Sequence, residues 1–353
     1  MLVGGRRTMS AVQLTGFGGP EKLVYRTDVP IPTPKDDEVL VKIGAASINN
    51  TDIWTREGAY NTSNDSSEAL GWQGEPLQFP RIQGVDIAGT IIATGENVDR
   101  HRVGERVVID TVLRQPSDRL FGSGIFGSER DGGFAEFVAS PSQNAIRFDG
   151  DQTFIELASV PTAGLTALHM LNRGRLKAGE TVVVSGASGG VGSSLVQLAK
   201  LRGARVVALV GEGKEAQVAE IGADIVVNRS AMDFSDQVKA AVKGVFDLYA
   251  DVVGGDSFGA LLPLIRPEGG RYVTAGAIAG PTVKLDLRIL YLNHLELIGS
   301  TIGTREEFIE LLEYVKDKKF QPKVYKTFSL AEISIAQATF MEKSFFGKLV
   351  LVP

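Results

Sequence analysis

The sequence predicts an α/β fold made of a strand-rich domain and a doubly wound parallel sheet. The chain has 353 residues, which corresponds to about two domains of ~150 residues each. Residues 9–150 contain short apolar stretches broken by Gly, Pro, Asn and Asp, a pattern typical of short strands. From residue 180 onward strands alternate with helices, and this alternation gives a parallel sheet covered on both faces because each crossover is right-handed.

The composition is that of an ordinary globular protein. Apolar residues make up 43% and charged residues 22% of the chain. The formal net charge of −5 is a poor electrostatic match for nucleic acid. Cysteine is absent, which excludes disulfides, cysteine-ligated zinc, iron–sulfur clusters and a thiol nucleophile.

The chain carries no recognisable targeting signal. No apolar run approaches the ~18 residues of a membrane span. The N-terminal basic pair is not followed by the apolar segment of a signal peptide, so we expect a cytoplasmic protein that does not bind membranes. Met9 begins a strand-like stretch, and residues 1–8 are expected to be an upstream extension or a vector remnant.

The strand-rich region combines short strands with two long loops. Strands are predicted at residues 39–43, 87–93 and 106–109. The loops span residues 58–80 and 114–133. Unstructured loops of this length are uncommon in compact domains and are often functional or mobile. If these two loops fold over a binding cleft, they would restrict what can enter it.

The second region contains six predicted strands. Residues 181–185 form a continuous apolar run, as in a strand buried on both faces. The strands that follow are predicted at 205–210, 225–227, 246–250, 271–275 and 295–299. The helices are predicted at 189–202, 214–221, 236–242 and 256–265.

The C-terminal part is expected to return to the first domain. It contains a predicted helix at 305–316 and a predicted strand at 348–352. The expected domains are therefore residues 1–152 with 301–353, and residues 153–300.

A glycine-rich turn connects the first strand and the first helix of the second region. Within residues 185–192, Ala187, Gly189 and Gly192 occupy the three glycine positions of a G-x-G-x-x-G fingerprint. The second position lets the backbone approach a pyrophosphate, and the third lets the helix pack close to the sheet. The helix N-terminus adds free N–H groups and a positive dipole. In this strand–turn–helix context the motif predicts a Rossmann dinucleotide site; the alternative is a glycine turn without a ligand.

The end of the second strand bears on the choice of cofactor. NAD sites usually place an acidic residue about 20 positions after the glycine turn, whereas this strand ends in Leu209-Val210-Gly211. Lys214 and Arg229 could bind a 2′-phosphate, although each could equally be a solvated surface cation. Glu212 lies close to the strand end and argues mildly for NADH, because an acidic residue there would repel a 2′-phosphate. We expect NADPH, with NADH less favoured.

Further motifs occur in a characteristic order along the chain. They are TGFGGP (15–20), QGVDIAG (83–89), VGERV (103–107), GGFAEF (132–137), AGLTA (163–167), the glycine turn, GAD (222–224) and FGK (346–348). Together they resemble the medium-chain dehydrogenase/reductase superfamily, specifically its zinc-independent quinone oxidoreductase-like branch. The resemblance implies a Rossmann domain inserted into a GroES-like twisted β-barrel, with the nicotinamide in the cleft between them. It also implies a homodimer paired through the edge of the cofactor domain.

The resemblance also bears on metal binding. Zinc-dependent alcohol dehydrogenases of this superfamily hold a catalytic zinc with Cys, His and Cys. The corresponding positions here are Asn49, Val85 and Thr162, none of which is the usual ligand. We expect no zinc and no other metal.

The same resemblance implies three catalytic candidates. Asn49 matches an active-site Asn of quinone oxidoreductases and could hydrogen-bond a substrate oxygen. Thr51 lies where alcohol dehydrogenases keep a proton-relay hydroxyl, and Tyr60 lies near a pocket tyrosine that could act as an acid or a stacking surface. The structural alternatives are an Asx-turn for Asn49, a helix N-cap for Thr51 and a packed aromatic for Tyr60.

Other residues of the motifs have less distinct roles. Asp52 is interpreted as structural, and Trp54 stands where relatives often carry Tyr. Asp131, Arg266 and the three histidines, His101, His169 and His294, receive no catalytic role. The predicted cofactor-binding residues are Thr166, Ser188, Gly189, Gly190, Val191, Gly192, Lys214, Arg229, Gly276 and Lys348.

These residues favour hydride transfer that depends on positioning. Hydride transfer needs an electrophile held about 3–3.5 Å from the donor. A quinone or conjugated enone can spread the arriving charge onto an oxygen that hydrogen bonds stabilise. We therefore expect an oxidoreductase that reduces quinones or enones with NADPH and without a catalytic metal. The alternatives are an alcohol or carbonyl oxidoreductase of the zinc-type alcohol dehydrogenase-like superfamily, and a nucleotide-binding regulatory or structural protein with little turnover.

Overall fold

The computed structural model describes residues 3–61, 69–114 and 122–353 and divides the chain into two units. The first unit comprises Met1–Thr162 and Val324–Pro353, and the second comprises Ala163–Lys323. Residues 62–68 and 115–121, which belong to the two predicted long loops, lie outside the described residues. In the described ranges, no helix has both the length and the apolar character that crossing a bilayer requires.

The N-terminal part of the first unit is rich in strands, as predicted. Its strands are β1 (Thr8–Leu14), β2 (Leu23–Pro30), β3 (Glu38–Ser47), β4 (Arg81–Ile82), β5 (Asp86–Thr94), β6 (Arg106–Ile109), β7 (Phe137–Pro141) and β8 (Ala145–Arg147). Its helices are α1 (Asn50–Glu57) and α2 (Phe154–Ala158).

The second unit alternates strands and helices, also as predicted. Its strands are β9 (Thr181–Val184), β10 (Arg205–Val210), β11 (Ile225–Asn228), β12 (Leu248–Asp251), β13 (Arg271–Thr274) and β14 (Glu296–Gly299). Helix α3 (Pro161–Arg173) leads into it, and its other helices are α4 (Gly190–Leu201), α5 (Glu215–Glu220), α6 (Phe234–Ala241), α7 (Asp256–Leu261), α8 (Leu287–Leu292) and α9 (Arg305–Lys316).

The chain then returns to the first unit through β15 (Val324–Ser329), α10 (Ile333–Glu342) and β16 (Lys348–Val352). One sheet has the order β2-β1-β4, and a larger sheet has the order β15-β16-β3-β5-β6-β8, with β7 also paired to β3. A single apolar core connects them, with Val41, Ile87 and Leu349 fully buried. The central strand β3 runs antiparallel to both β5 and β16.

The second unit has one parallel sheet with the strand order β11-β10-β9-β12-β13-β14. This is the order of a doubly wound dinucleotide-binding sheet, which reverses direction beside its first strand. The reversal lies at β9, whose two neighbours are β10 and β12. Ligands of such sheets bind outside the carboxyl ends of the strands at this point, which is where the glycine turn follows β9.

Two details differ from the sequence-based expectation. The unit boundaries fall after Thr162 and Lys323 instead of after residues 152 and 300, and helix α9 belongs to the second unit. There, Glu307 of α9 accepts a hydrogen bond from His169 Nδ1 of α3 at 2.8 Å. Helix α7 ends at Leu261 rather than at residue 265, because Pro263 has no N–H to continue it.

Candidate active site

Three strand ends meet in the first unit. The carboxyl end of β3 is Ser47, and the amino ends of β5 and β16 are Asp86 and Lys348. Ser47 pairs with Asp86 across one edge of β3 and with Val350 across the other. Because the strands are antiparallel, polar residues at these ends are brought to one place, although 262 positions separate Asp86 from Lys348.

The Asp86 carboxylate is the centre of this buried cluster. Its Oδ2 accepts hydrogen bonds from Ser47 Oγ at 3.0 Å and from Asn49 Nδ2 at 2.8 Å. Its Oδ1 accepts hydrogen bonds from the Thr162 hydroxyl at 2.6 Å and from the Thr162 N–H at 2.8 Å. Asp86 is completely buried. A buried carboxylate is stable only when its oxygens are satisfied in this way.

Lys348 supplies the positive charge of the cluster. Its Nζ donates to Asn49 Oδ1 at 2.5 Å, to Ile48 O at 3.1 Å and to Asp86 Oδ2 at 3.4 Å. Burial lowers the pKa of Lys348, and the negative charges of Asp86 and Asp52 oppose that shift. All three of these contacts lie within the first unit. The role of Lys348 in cofactor binding stays a prediction.

Asn49 is held at both ends of its amide. Its Oδ1 accepts from Lys348 while its Nδ2 donates to Asp86. A hydrogen bond from Asn49 to a substrate oxygen, as predicted, would compete with these two partners. In this arrangement Asn49 orients the start of α1, because it is the residue that caps that helix.

Asp52 connects α1 to the segment before β5. Its Oδ2 accepts the Asn49 N–H at 2.8 Å, and its Oδ1 accepts the N–H groups of Gly84 and Val85 at 3.3 Å. Burial raises the pKa of Asp52 to about 7; the Asn49 N–H and the charge of Lys348 oppose this shift, and the charge of Asp86 adds to it. These contacts give Asp52 the structural role that the sequence suggested.

Thr51 and Tyr60 form a hydrogen-bonded pair. Thr51 Oγ1 lies 2.5 Å from Tyr60 Oη, and either oxygen can donate. The ring of Trp54 packs edge-on against Tyr60, with ring centroids 5.6 Å apart. Burial raises the pKa of Tyr60 well above its usual value, the hydrogen bond to Thr51 opposes the shift, and the charges of Asp52 and Glu129 add to it. Tyr60 is therefore a neutral phenol, whose hydroxyl stays protonated and hydrogen-bonded to Thr51.

The glycine turn of the second unit has the geometry of a phosphate cradle. A Cβ on Gly192 would lie 2.1 Å from Gly186 O, so only glycine fits there. A Cβ on Gly189 would meet only Gly186 O, at 3.5 Å, so that position is open. Gly189 is the N-cap of α4 and offers no side-chain cap, which leaves backbone N–H groups for an anion. These residues fit the pyrophosphate of a dinucleotide.

The other predicted cofactor residues lie at several places in the second unit. Ser188 precedes Gly189 in the turn, and Gly190 and Val191 begin α4. Thr166 is buried on α3, and Gly276 follows β13, where its carbonyl accepts a hydrogen bond from Thr274.

Lys214 and Arg229 lie near the carboxyl ends of β10 and β11. The Arg229 N–H donates to Val210 O, the last residue of β10, at 2.8 Å. Lys214 precedes α5 as its N-cap. Burial lowers the pKa of Lys214, and the positive charge of Arg229 lowers it further. The two cations are therefore close enough to repel each other.

Sequence reasoning missed Asp251, which is completely buried at the end of β12. It accepts hydrogen bonds from Ser185 Oγ at 2.5 Å, from the Val253 N–H at 2.8 Å and from Tyr272 Oη at 2.9 Å. This carboxylate ties the first residue of the glycine turn to the segment after β12. The available signal was an acidic residue directly after an apolar strand.

The residues at the zinc positions of the relatives do not fit that metal. Asn49 and Thr162 both bond to Asp86, and Val85 has an alkyl side chain. Across the ranges that the structure describes, no group of three or more His, Cys, Asp or Glu side chains could hold a metal ion.

Comparison with known proteins identifies the family to which the chain belongs. Residues 190–317 match the zinc-binding dehydrogenase family, and residues 35–150 match the alcohol dehydrogenase GroES-like domain. A quinone oxidoreductase from Sus scrofa is 30% identical over 314 residues, which cover 87% of this chain and 85% of that protein. The chain belongs to the medium-chain dehydrogenase/reductase superfamily. The resemblance to this superfamily and the predicted fold class are thereby confirmed.

This medium-chain dehydrogenase/reductase is also similar to proteins that are named alcohol dehydrogenases. An NAD-dependent alcohol dehydrogenase from Sulfurisphaera tokodaii is 28% identical over 98% of this chain and 100% of its own length. A crystal structure of a candidate alcohol dehydrogenase from Sinorhizobium meliloti 1021 superposes with a TM-score of 0.95 at 51% identity, over 99% of this chain and 97% of that one. The protein is therefore an oxidoreductase of a superfamily that binds a nicotinamide cofactor.

Proposed function

We propose that this oxidoreductase transfers a hydride from NADPH to a quinone or a conjugated enone without a catalytic metal. The observation that carries the proposal is the Thr51–Tyr60 pair, a short hydrogen bond that ends on a neutral phenol. The donor chemistry at Asn49, Val85 and Thr162 supports a metal-free reaction, and the quinone oxidoreductase among the relatives supports the substrate class.

In this proposal one group of residues binds the cofactor and another supplies the proton. Reduced nicotinamide, when bound, supplies the hydride. Gly189, Gly190 and Gly192 bind the pyrophosphate through backbone N–H groups and close packing. Tyr60 donates the proton that neutralises the enolate or hydroquinone anion, and the Thr51 hydroxyl passes a proton from solvent back to the tyrosinate. Asp52 holds Thr51 in place by fixing α1 against residues 84 and 85.

A conjugated acceptor suits this site better than a saturated one. Hydride addition to an enone moves an electron pair onto the carbonyl oxygen, and one proton then neutralises the product. Hydrogen-bond donors are sufficient to stabilise that oxygen. A saturated ketone lacks this delocalisation and gains more from a Lewis acid, for which the described residues offer no ligand set.

Lys214 and Arg229 favour NADPH in this proposal. Two neighbouring cations at the ends of β10 and β11 fit the doubly charged 2′-phosphate, and the end of β10 carries no carboxylate. The relative from Sulfurisphaera tokodaii is named NAD-dependent, so the preference has to be measured in this chain.

The double variant Lys214→Ala/Arg229→Ala is expected to bind NADPH about 100-fold more weakly, because it loses two charge-assisted contacts of roughly 1.5 kcal/mol each. NADH affinity should change by less than about threefold. Fluorescence titration with both cofactors measures the effect. The matched control is Lys239→Ala, which removes an exposed cation on α6. Equal losses for NADPH and NADH would contradict the assignment.

The alcohol dehydrogenase names among the relatives favour a second candidate function, an alcohol or carbonyl oxidoreductase. Absorbance at 340 nm separates the two when NADPH is mixed in turn with 1,4-naphthoquinone, an enone and a ketone. We expect turnover with the first two acceptors. Turnover with the ketone alone would favour the second candidate, and tight NADPH binding with no turnover would indicate a nucleotide-binding protein.

We also propose that the protein forms a homodimer through the edge of its parallel sheet. Strand β14 is the last strand of that sheet, and an unpaired edge is a template for a second strand. Helix α8 precedes β14 in the chain and exposes three large apolar side chains: Leu287 is 63%, Tyr291 60% and Leu292 67% exposed. Several exposed apolar side chains on one short helix favour a protein–protein interface.

Sedimentation analysis tests the dimer directly. The native protein is expected to have twice the monomer mass, and Leu292→Asp should shift it toward the monomer because the substitution places a charge on the apolar surface. Met232→Asp, at a fully exposed apolar position on the surface, is the matched control and should stay dimeric. A native monomer would refute the proposal.

A further inference from the structure

Glu129 links the described parts of the two long loops. Its Oε1 accepts hydrogen bonds from the Gln73 N–H at 3.1 Å and from Ser128 Oγ at 2.9 Å, and its Oε2 accepts the Ile125 N–H at 2.9 Å. Ser128 Oγ in turn accepts the Trp72 N–H at 3.1 Å. One carboxylate and the adjacent hydroxyl therefore join residues 72–73 of the first loop to residues 125–129 of the second.

This junction lies beside Tyr60. Helix α1 ends at Glu57, and its C-cap Gly58 has a left-handed conformation with φ of 67°. The Leu70 N–H donates to Gly58 O at 3.1 Å, and a Cβ on Gly58 would lie 2.4 Å from Ala69 Cβ. Residues 69–70 therefore lie against Gly58, two positions before Tyr60, and residue 73 contacts Glu129. The charge of Glu129 contributes to the raised pKa of Tyr60.

Among the residues that the structure describes, the hydrogen-bond partners of Glu129 do not neutralise its charge, because they are two backbone N–H groups and one hydroxyl. The next residue, Arg130, is directed to Glu38 Oε1 at 2.8 Å and to Ala139 O at 2.7 Å. Arg81 pairs with Asp131 at 2.8 Å. An acceptor that approaches Tyr60 therefore meets a fixed negative charge, and Coulomb repulsion from it would penalise an anion.

We propose that Glu129 is a specificity-determining residue, which joins residues 72–73 to residues 125–129 near Tyr60 and selects uncharged acceptors over anionic ones. The inference rests on the proposed function, since it concerns the acceptor of that reaction. It adds a criterion that the quinone or enone class alone does not give: among acceptors with the same ring, those with a sulfonate or carboxylate near the reacting carbons are rejected.

The test compares 1,4-naphthoquinone with 1,4-naphthoquinone-2-sulfonate in the wild type and in Glu129→Gln. The ratio of kcat/KM for the neutral to the anionic quinone should fall about fivefold in Glu129→Gln, because one charge is removed at constant size. Glu75→Gln makes the same change on an exposed residue of the first loop, and its ratio should stay within about twofold of the wild-type ratio. An unchanged ratio in Glu129→Gln would overturn the assignment.

Two further measurements keep the test decisive. In the wild type, raising the salt concentration should lower the same ratio, since ions screen the repulsion; a salt-independent ratio contradicts the proposal without any variant. Hydrogen exchange should become faster at residues 72–73 and 125 in Glu129→Gln, because a side-chain amide has only one acceptor oxygen, and unchanged exchange would overturn the docking role. If the wild type reduces neither these quinones nor 2-cyclohexenone, the proposed function itself fails. If the wild type reduces the neutral quinone and Glu129→Gln leaves the ratio unaltered, only the role of Glu129 fails.

Discussion

Tyr60→Phe is expected to lower kcat for enone reduction by about 100-fold, because it removes the phenol that donates the proton while the aromatic ring stays in place. NADPH affinity should be unchanged, since the predicted phosphate cradle lies in the second unit. Thr51→Val should lower kcat by about tenfold, because Tyr60 then loses its hydrogen-bonded relay. Single-turnover absorbance at 340 nm measures the chemical step directly.

The control for Tyr60→Phe is Tyr25→Phe, which removes a phenol that is 40% exposed on β2. Its kcat should equal that of the wild type. A Tyr60→Phe enzyme with wild-type kcat would show that water supplies the proton, and the role proposed for the Thr51–Tyr60 pair would then be wrong.

Asp86→Asn is expected to destabilise the protein by about 3–5 kcal/mol, the usual effect of removing one partner from a buried ion pair. Asparagine has one acceptor oxygen, whereas Asp86 accepts from Ser47, Asn49, Thr162 and Lys348. The variant also removes the carboxylate with which the buried ammonium of Lys348 forms an ion pair. The midpoint of urea-induced unfolding measures the loss.

A double variant separates the ion pair from general damage to the site. Asp86→Asn/Lys348→Met should be at least about 1 kcal/mol more stable than Asp86→Asn alone, because the unpaired charge has been removed. Asp131→Asn is the matched control, since Asp131 forms an ion pair with Arg81 while 54% exposed, and it should cost less than about 1 kcal/mol. Equal stability of Asp86→Asn and Asp131→Asn would contradict the account of this cluster.

Much of the second unit could be predicted from the sequence, because its signals are local. The strands of a parallel sheet are continuous apolar runs, and those predicted at 205–210 and 225–227 agree closely with β10 and β11. The glycine turn was also visible locally, since its function depends on residues within one strand–turn–helix unit. The clash that a Cβ at Gly192 would make is the physical reason for that glycine.

The remaining features depend on pairing between distant parts of the chain. Strand β15 was not predicted because Phe328 is its only fully buried residue, so it shows no regular alternation. The cluster of Asn49, Asp86 and Lys348 depends on the register of β3 with β5 and β16, which no local pattern encodes. The same holds for Glu129 and Gln73, which are 56 positions apart.

The most direct test of metal-free hydride transfer uses NADPH deuterated at both C4 positions, with 2-cyclohexenone as the acceptor and exhaustively chelated protein. We predict cyclohexanone with one deuterium on the β-carbon, formed at the same rate before and after chelation. A product without deuterium at that carbon, or activity that chelation abolishes and Zn²⁺ restores, would contradict the account.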